Sequence, residues 1–170
     1  LDLTGEWQVS ESCNVTASSA TGKIKWQKKR VHVPWWRKKR EVSYCLRRTF
    51  YMPKQWQRKN RFLTINCDSV CYYSQFFLNG ERIGEHIGGG VPFSLKLGDN
   101  LKFGEENEII IWVTNDIPKD KAVSNGAWGM IVSISGRVVI ESVPDLHIEN
   151  VFVKTSYRHN QLEIDVTVVN

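Results

Sequence analysis

The sequence predicts an all-β fold. Apolar residues recur at every second position in many short segments, and a period of two is that of a β-strand. Turn-forming residues separate these segments. No window of about 11 to 18 residues combines helical periodicity with capping residues at both ends. Many short strands joined by turns are typical of a β-sandwich or a barrel.

The alternating segments run along the whole chain. They are residues 1–9, 44–51, 63–67, 76–78, 109–113, 138–140, 151–153 and 162–168. Residues 109–113 are apolar on both faces, which predicts a strand at the centre of a sheet. Asn79-Gly80 predicts a two-residue type I′ hairpin, because that turn needs positive φ at both central residues.

A domain boundary is predicted at Pro144-Asp145. Residues 1–144 hold most of the strands, and residues 145–170 hold two strands joined by a polar turn. Two strands alone are marginally stable in water. We therefore expect residues 145–170 to be the truncated start of a second domain. Because the chain opens on Leu1, we expect a processed or excised product whose export signal lies outside the printed sequence.

The composition is that of a folded globular protein. Hydrophobic residues make up 41% and charged residues 24% of the 170 residues, which excludes collagen-like and disordered classes. The length is enough to bury a core. The sequence contains no run of about 18 apolar residues, so no membrane span is predicted.

The positive charge is concentrated in one stretch. Fifteen of the 23 Lys and Arg residues lie between Lys23 and Arg61, against one acid, Glu41. Solvated loops and strand faces are one interpretation. The other is a surface that binds an anion, with nucleic acid, an acidic glycan or an acidic protein as candidates. Aromatic residues interleave the stretch, as in proteins that hold single strands; these are Trp26, Trp35, Trp36, Tyr44 and Trp56.

The cysteines and histidines do not form a metal motif. The four cysteines are Cys13, Cys45, Cys67 and Cys71, and the four histidines are scattered singly. We expect buried free thiols; a disulfide remains open, since four cysteines allow three pairings. The run of glycines at 88–90 lacks the Lys-Ser/Thr of a phosphate-binding loop. We expect no metal and no cofactor.

Six ordered segments carry a family resemblance. They are Thr4-Gly5-Glu6-Trp7, Val33-Pro34-Trp35-Trp36, YCLRRTF at 44–50, LNGERIGEH at 78–86, GGGVPF at 88–93 and GEENEI at 104–109. In order and spacing they resemble motifs of glycoside hydrolase family 2, which includes β-galactosidases, β-glucuronidases and β-mannosidases. The resemblance covers about residues 1–144, and residues 145–170 resemble the start of the next, immunoglobulin-like domain.

This resemblance implies a jelly-roll β-sandwich of the galactose-binding type over residues 1–144. In that family both catalytic glutamates lie in a downstream (β/α)₈ barrel. The chain itself is therefore expected to be a non-catalytic, carbohydrate-associated domain of a larger glycosidase. The implied partners are carbohydrate, including an anionic glycan, and the rest of the same polypeptide. A periplasmic or extracellular location is also implied.

Four residues are candidates for contact with sugar. In the family, a loop before a G-I-x-R motif reaches the rim of the active site; here it corresponds to residues 116–131, and the arginine is replaced by Val132. Asn125 and Trp128 in this loop, and Trp35 and Trp36, could bond or stack on a pyranose. Packing in the core or against another domain is the alternative for each tryptophan.

No pair of catalytic acids is predicted. A glycosidase needs two carboxylates about 5 to 10 Å apart, and Glu81, Glu105 and Glu106 lie in turns without partners. Two alternatives to the glycosidase domain remain: a nucleic-acid-binding β-module based on the basic stretch, and a structural sandwich that binds no ligand.

Overall fold

The computed structural model describes residues 1–11, 24–38, 42–116 and 131–169. Within these ranges the chain forms β-strands and one short 3₁₀ turn, Lys54–Trp56. The larger sheet has six strands, in the spatial order β2 (Arg30–Val33), β1 (Gly5–Ser10), β4 (Ser43–Tyr51), β9 (Glu106–Thr114), β6 (Tyr73–Leu78) and β7 (Glu81–Ile87).

A smaller sheet packs against the larger one. Its spatial order is β3 (Trp35–Lys38), β10 (Ile131–Pro144), β5 (Arg61–Cys71) and β8 (Phe93–Lys96). The last two strands, β11 (His147–Ser156) and β12 (Gln161–Val169), form a separate two-stranded sheet. All pairings are antiparallel. The predicted jelly-roll β-sandwich is confirmed.

The core lies between the facing surfaces of the two larger sheets. The six-stranded sheet contributes Trp7, Leu46, Phe76 and Ile111, and the four-stranded sheet contributes Ile65, Val70, Ile134 and Ile140; each is at most 1% exposed. Each fully buried side chain of this size contributes about 1.5–3 kcal/mol relative to an exposed one. The core therefore stabilises the sandwich by joining residues far apart in sequence.

The strand predicted to be central is central. β9 lies between β4 and β6. Its Ile109 and Ile111 point into the core. Ile110 points to the opposite, outer face, where it packs with Cys45 and Phe77 beneath Ile24 and Trp26. Residues 24–29 thus cover part of the outer face, and Gln27 N–H donates to Val9 O over 2.9 Å.

The predicted hairpin turn forms at Asn79-Gly80. Both residues have positive φ, 48° and 89°, as a type I′ turn requires. The Asn79 side chain also joins neighbouring segments, because its Nδ2 donates to Asn107 Oδ1 and to Asn100 O, both over 2.8 Å. The dipeptide therefore fixes the register of β6 with β7 and ties the turn to the start of β9.

A β-bulge interrupts the pairing of β5 with β10 at Gly136. The register shifts between Ser135 and Val138, and Gly136 has a φ of +81°. The Asp68 carboxylate accepts the Arg137 backbone N–H over 2.8 Å, and this bond lowers the pKa of Asp68. A Cβ at Gly136 would lie 2.6 Å from Asp68 Cβ, so only glycine fits.

The two-stranded sheet is amphipathic, and its apolar face is exposed. The cross-strand pairs on this face are Ile148–Val168, Val151–Val166, Val153–Ile164 and Thr155–Leu162. The other face carries Lys154, whose Nζ lies 2.6 Å from Asp165 Oδ2. Alternation of this kind is typical of a strand pair with one face against a core.

Two glycine substitutions test the bulge. Gly136→Ala adds a clash with Asp68 to the strain of positive φ, and we expect it to lower the free energy of unfolding by about 3 kcal/mol. Gly90→Ala is the control, because Gly90 has a similar φ of +75° and no atom within 4 Å of the added Cβ; it should cost about 1 kcal/mol. Urea unfolding measures both, and equal losses would contradict the clash.

Candidate functional site

Trp35 and Trp36 occupy opposite faces of β3. Trp35 is 5% exposed and packs edge-on against Tyr44, with ring centroids 5.0 Å apart. Its role is in the core, and its contact with sugar is excluded by burial. Trp36 is 64% exposed on the outer face of the four-stranded sheet, opposite Ser133 of β10. Of these two candidates, Trp36 alone presents an aromatic face to solvent.

The other two candidates, Asn125 and Trp128, lie outside the described residues. The strands that flank their segment end beside Trp36, because Lys38 pairs with Ile131 at the start of β10. Val132, which replaces the family arginine, is fully buried in the core. A side chain at this position points inward in the present sandwich, so the substitution leaves the apolar interior intact.

Several strand ends meet at the end of the sandwich that carries Trp36. β9 ends at Thr114, where Ser43 Oγ donates to Thr114 Oγ1 over 3.1 Å at the start of β4. Thr114 Oγ1 in turn donates to Val42 O over 2.9 Å. Loops at one end of a rigid sandwich are a frequent location for binding residues, and this end is where the sequence-based candidates were expected.

A polar network lies on the outer face of β6 and β7. Tyr73 Oη donates to Glu85 Oε2 over 2.7 Å and accepts from Gln75 Nε2 over 2.8 Å. Arg82 Nη2 lies 2.6 Å from the same Glu85 oxygen. The Tyr73 ring packs edge-on against Trp112, with centroids 5.6 Å apart. These contacts hold the side chains in a fixed arrangement, typical of a structural network.

The basic stretch does not form one continuous surface. Arg37 and Lys38 lie at the end of β3, which pairs with the beginning of β10. Arg61 pairs with Pro144, at the other end of the same 14-residue strand. A third group, Arg30, Arg47 and Arg48, lies on β2 and β4 of the other sheet. The fold thus distributes the charge over three separate places.

The aromatic residues of that stretch are mostly unavailable as stacking platforms. Trp35 and Tyr44 are buried. Trp56 is half-buried against the core. Trp26 is half-buried, and the Arg47 guanidinium carbon lies over its ring, 4.4 Å from the centroid. A groove for single-stranded nucleic acid needs successive exposed rings, so the structure does not favour that alternative.

The third basic group lines a groove, here called the arginine groove, on the outer face of the six-stranded sheet. Its volume is about 430 Å³, and its lining residues are Glu6, Gln8, Arg30, Arg47, Arg48 and Thr49. Gln8 pairs with Arg30 of β2 and with Arg47 of β4. Directly paired residues project from the same face of a sheet, so the pairing gathers these three side chains.

Sequence reasoning missed this groove. It counted the arginines as a charge run, whereas Glu6 and Gln8 come from a strand more than 20 residues away. The available signal was the alternation of the opening strand, which places Glu6 and Gln8 on the face opposite Trp7. Which strands β1 would pair with was not readable from that alternation.

The described residues show no constellation for catalysis. The carboxyl pKa shifts are downward: a hydrogen bond from Thr4 lowers that of Asp2, and one from Arg137 lowers that of Asp68. A general acid needs a raised pKa. No group of three or more His, Cys, Asp or Glu residues able to hold a metal occurs among residues 1–11, 24–38, 42–116 and 131–169. In the same ranges, no helix is long and apolar enough to cross a membrane.

The cysteines correct one expectation and confirm another. Cys67 and Cys71 are free and buried, as expected. Cys45 is disulfide-bonded, so the expectation of free thiols was wrong there. The difference has a structural basis, since Cys67 lies in the core, whereas Cys45 projects from the outer face of the six-stranded sheet. Cys13 lies outside the described residues.

The comparisons with known sequences point to glycosidases. No family model matches the chain. A β-glucuronidase of Formosa agariphila is 39% identical over 70 residues, 41% of this chain and 7% of that protein. A β-galactosidase of Thermoanaerobacter pseudethanolicus is 29% identical over 115 residues, 64% of this chain and 15% of that protein. The chain therefore corresponds to a small part of these relatives.

The comparisons with solved structures show the same fold. The β-glucuronidase of Faecalibacterium prausnitzii covers 100% of this chain with 35% of its own, at a TM-score of 0.73 and 18% identity. A Bacteroides uniformis β-glucuronidase covers 91% with 20% of its own, at a TM-score of 0.71 and 20% identity. A glycosyl hydrolase family 2 member from Bacteroides cellulosilyticus covers 100% with 29% of its own, at 0.65 and 13%.

The fold and its surfaces define a β-sandwich domain of the kind found within larger glycosidases. The sequence relatives are a β-glucuronidase and a β-galactosidase, and a structural neighbour is a family 2 member. The resemblance to glycoside hydrolase family 2 that the ordered motifs indicate is therefore confirmed.

Thiol labelling tests the placement of the free cysteines. Burial raises the pKa of Cys67 to about 12 and that of Cys71 to about 11, so little thiolate exists near pH 8. We expect iodoacetamide to alkylate Cys71 on the order of 100-fold more slowly in the folded chain than in denaturant, and Cys67 more slowly still. Mass spectrometry of the two sites measures this. Equal rates before and after unfolding would contradict the burial.

Proposed function

We propose that this chain is a non-catalytic, carbohydrate-associated domain of a family 2 glycoside hydrolase. The observation that carries the proposal is that the whole chain superposes on about a third of a β-glucuronidase chain. Its role is to support the catalytic barrel and shape the substrate entrance of an enzyme that hydrolyses O-glycosidic bonds. Trp36 is the exposed aromatic residue best placed for that entrance, beside the segment that contains Asn125 and Trp128.

The lack of a catalytic site in the described residues supports this division of labour. Two carboxylates must flank the scissile bond, and one of them needs a raised pKa when it acts as an acid. The carboxyl shifts of Asp2 and Asp68 are downward. In this proposal the acids belong to a (β/α)₈ barrel elsewhere in the same polypeptide.

The two-stranded sheet supports a second domain over residues 145–170. Its apolar ladder, which includes Val151–Val166 and Val153–Ile164, is about half exposed. A face of this kind is stable in water only when it is covered. We propose that β11 and β12 are the first strands of an immunoglobulin-like sandwich and that further strands of the same polypeptide cover this face.

The disulfide supports a location outside the cytoplasm. Disulfides persist in oxidising compartments and are rare in reducing ones, and Cys45 is disulfide-bonded. We propose that the protein acts in a periplasm or outside the cell, where glycans are the accessible substrates.

Turnover separates the domain from the enzyme. The 170-residue chain should not hydrolyse p-nitrophenyl β-glucuronide or p-nitrophenyl β-galactoside above the rate of buffer, because it lacks the acid pair. The longer polypeptide that contains the chain should hydrolyse at least one of them. Turnover by the isolated 170-residue chain, abolished by no barrel substitution, would overturn the proposal, as would a complete polypeptide inactive on every glycoside tested.

A further inference from the structure

The arginine groove exists because β1 parts from β4. The β1–β4 ladder ends at the pair Gln8–Arg47, whereas the β1–β2 ladder continues to Gly5–Val33. The start of β1 therefore follows β2 and leaves a gap beside β4. Arg48 reaches into this gap, and its Nη1 donates to Leu3 O over 2.6 Å and to Thr4 O over 2.9 Å. The floor of the groove is thus a fixed guanidinium.

A second arginine is fixed as firmly. Arg47 Nε donates to Gln8 Oε1 over 2.9 Å, and its Nη1 lies 3.2 Å from Glu108 Oε2. One face of its guanidinium lies on Trp26. Arg47 is held on three sides, so its position does not depend on a ligand. Preorganised donors of this kind lose little conformational entropy when an anion binds.

Positive charge and N–H donors remain in excess at the groove. Three guanidinium groups face two carboxylates, those of Glu6 and Glu108. Each guanidinium has five N–H donors, and in the described part of the chain Arg48 uses only Nη1. Arg30 uses only Nη1, in a pair with Glu6 that is mostly exposed, 60% and 66%. Such exposed pairs are weak, so Arg30 can exchange Glu6 for another carboxylate.

We propose that the arginine groove binds the carboxylate of a uronate-bearing saccharide, with Arg30 and Arg48 as the anion ligands. The planar guanidinium edge matches a carboxylate in two parallel hydrogen bonds. The excess of one positive charge matches one carboxylate. The inference rests on the carbohydrate role proposed above and assigns a substrate class and a site to it.

The rest of the groove suits a sugar ring. Gln8 Nε2 and the Thr49 hydroxyl line the groove and can bond ring hydroxyls, since Gln8 engages Arg47 through Oε1. The volume of about 430 Å³ falls in the range of small-ligand sites, about 300 to 1,000 Å³. Nucleic acid would fit the charge but lacks the exposed aromatic platforms it needs.

The test is an NMR titration of the 170-residue chain with glucuronate, and with glucose as the neutral control. Glucuronate should shift the amides of Gln8, Arg30 and Thr49 in a saturable manner, and glucose should not. Arg30→Gln should weaken glucuronate binding about tenfold, because it removes a charge-assisted contact. Arg58→Gln is the matched control, since Arg58 lies near the 3₁₀ turn and bonds only Gln55 O among the described residues; it should leave the affinity unchanged.

Four outcomes would overturn the proposal. These are equal shifts with glucose, equal affinity in the Arg30→Gln chain, equal shifts with inorganic phosphate, which would show an unselective anion site, and stronger shifts of these amides with a single-stranded oligonucleotide. Failure of the groove is distinct from failure of the proposed function. The titration reports on the groove alone, whereas turnover by the longer polypeptide reports on the glycosidase role.

Discussion

The structure depends on the burial of two sheet faces against each other. Phe76, Leu46 and Ile111 of one sheet meet Ile65, Ile134 and Ile140 of the other, and all six are fully buried. Because side chains alternate along a strand, burying one face fixes what the other face presents. Gln8 and Arg47 form the arginine groove for this reason: their neighbours Trp7 and Leu46 are committed to the core. The sandwich thus acts as a scaffold whose outward surfaces are set by its interior.

The parts of the fold that sequence predicted are those with local causes. Asn79-Gly80 forms its turn because both residues tolerate positive φ. Residues 109–113 form a central strand because both faces are apolar, and the structure buries Ile109 and Ile111 in the core and Ile110 on the outer face. The ordered motifs around these residues carried the family resemblance. Each of these signals lies within a few consecutive residues.

The parts that sequence could not predict depend on long-range pairing. Trp35 and Trp36 are adjacent and chemically alike, and only the pairing of β3 with β10 decides which of them faces the core. The arginines between residues 23 and 61 read as one charged run, yet β3 and β5 carry two groups to opposite ends of β10. The oxidised state of Cys45 likewise follows from its position on the outer face. None of these outcomes has a signal in neighbouring residues.

The proposed function follows from this organisation. A rigid sandwich without an acid pair among its described residues supports and positions, and it leaves the chemistry to another part of the polypeptide. Exposed groups such as Trp36 and Arg30 lie on the surfaces that the core leaves outward. The exposed apolar face of β11 and β12 fits the same picture, because it belongs to a neighbouring unit rather than to the core of residues 1–144.

Native-state hydrogen exchange tests the central claim, that the interface between the two sheets determines the stability of the chain. The slowest amides should lie in β4, β9, β6, β5 and the central part of β10, and they should exchange with the free energy of global unfolding. The amides of β11 and β12 should exchange by local opening, orders of magnitude faster. Equal protection of β11, β12 and the core strands would show that stability arises elsewhere and would contradict the account.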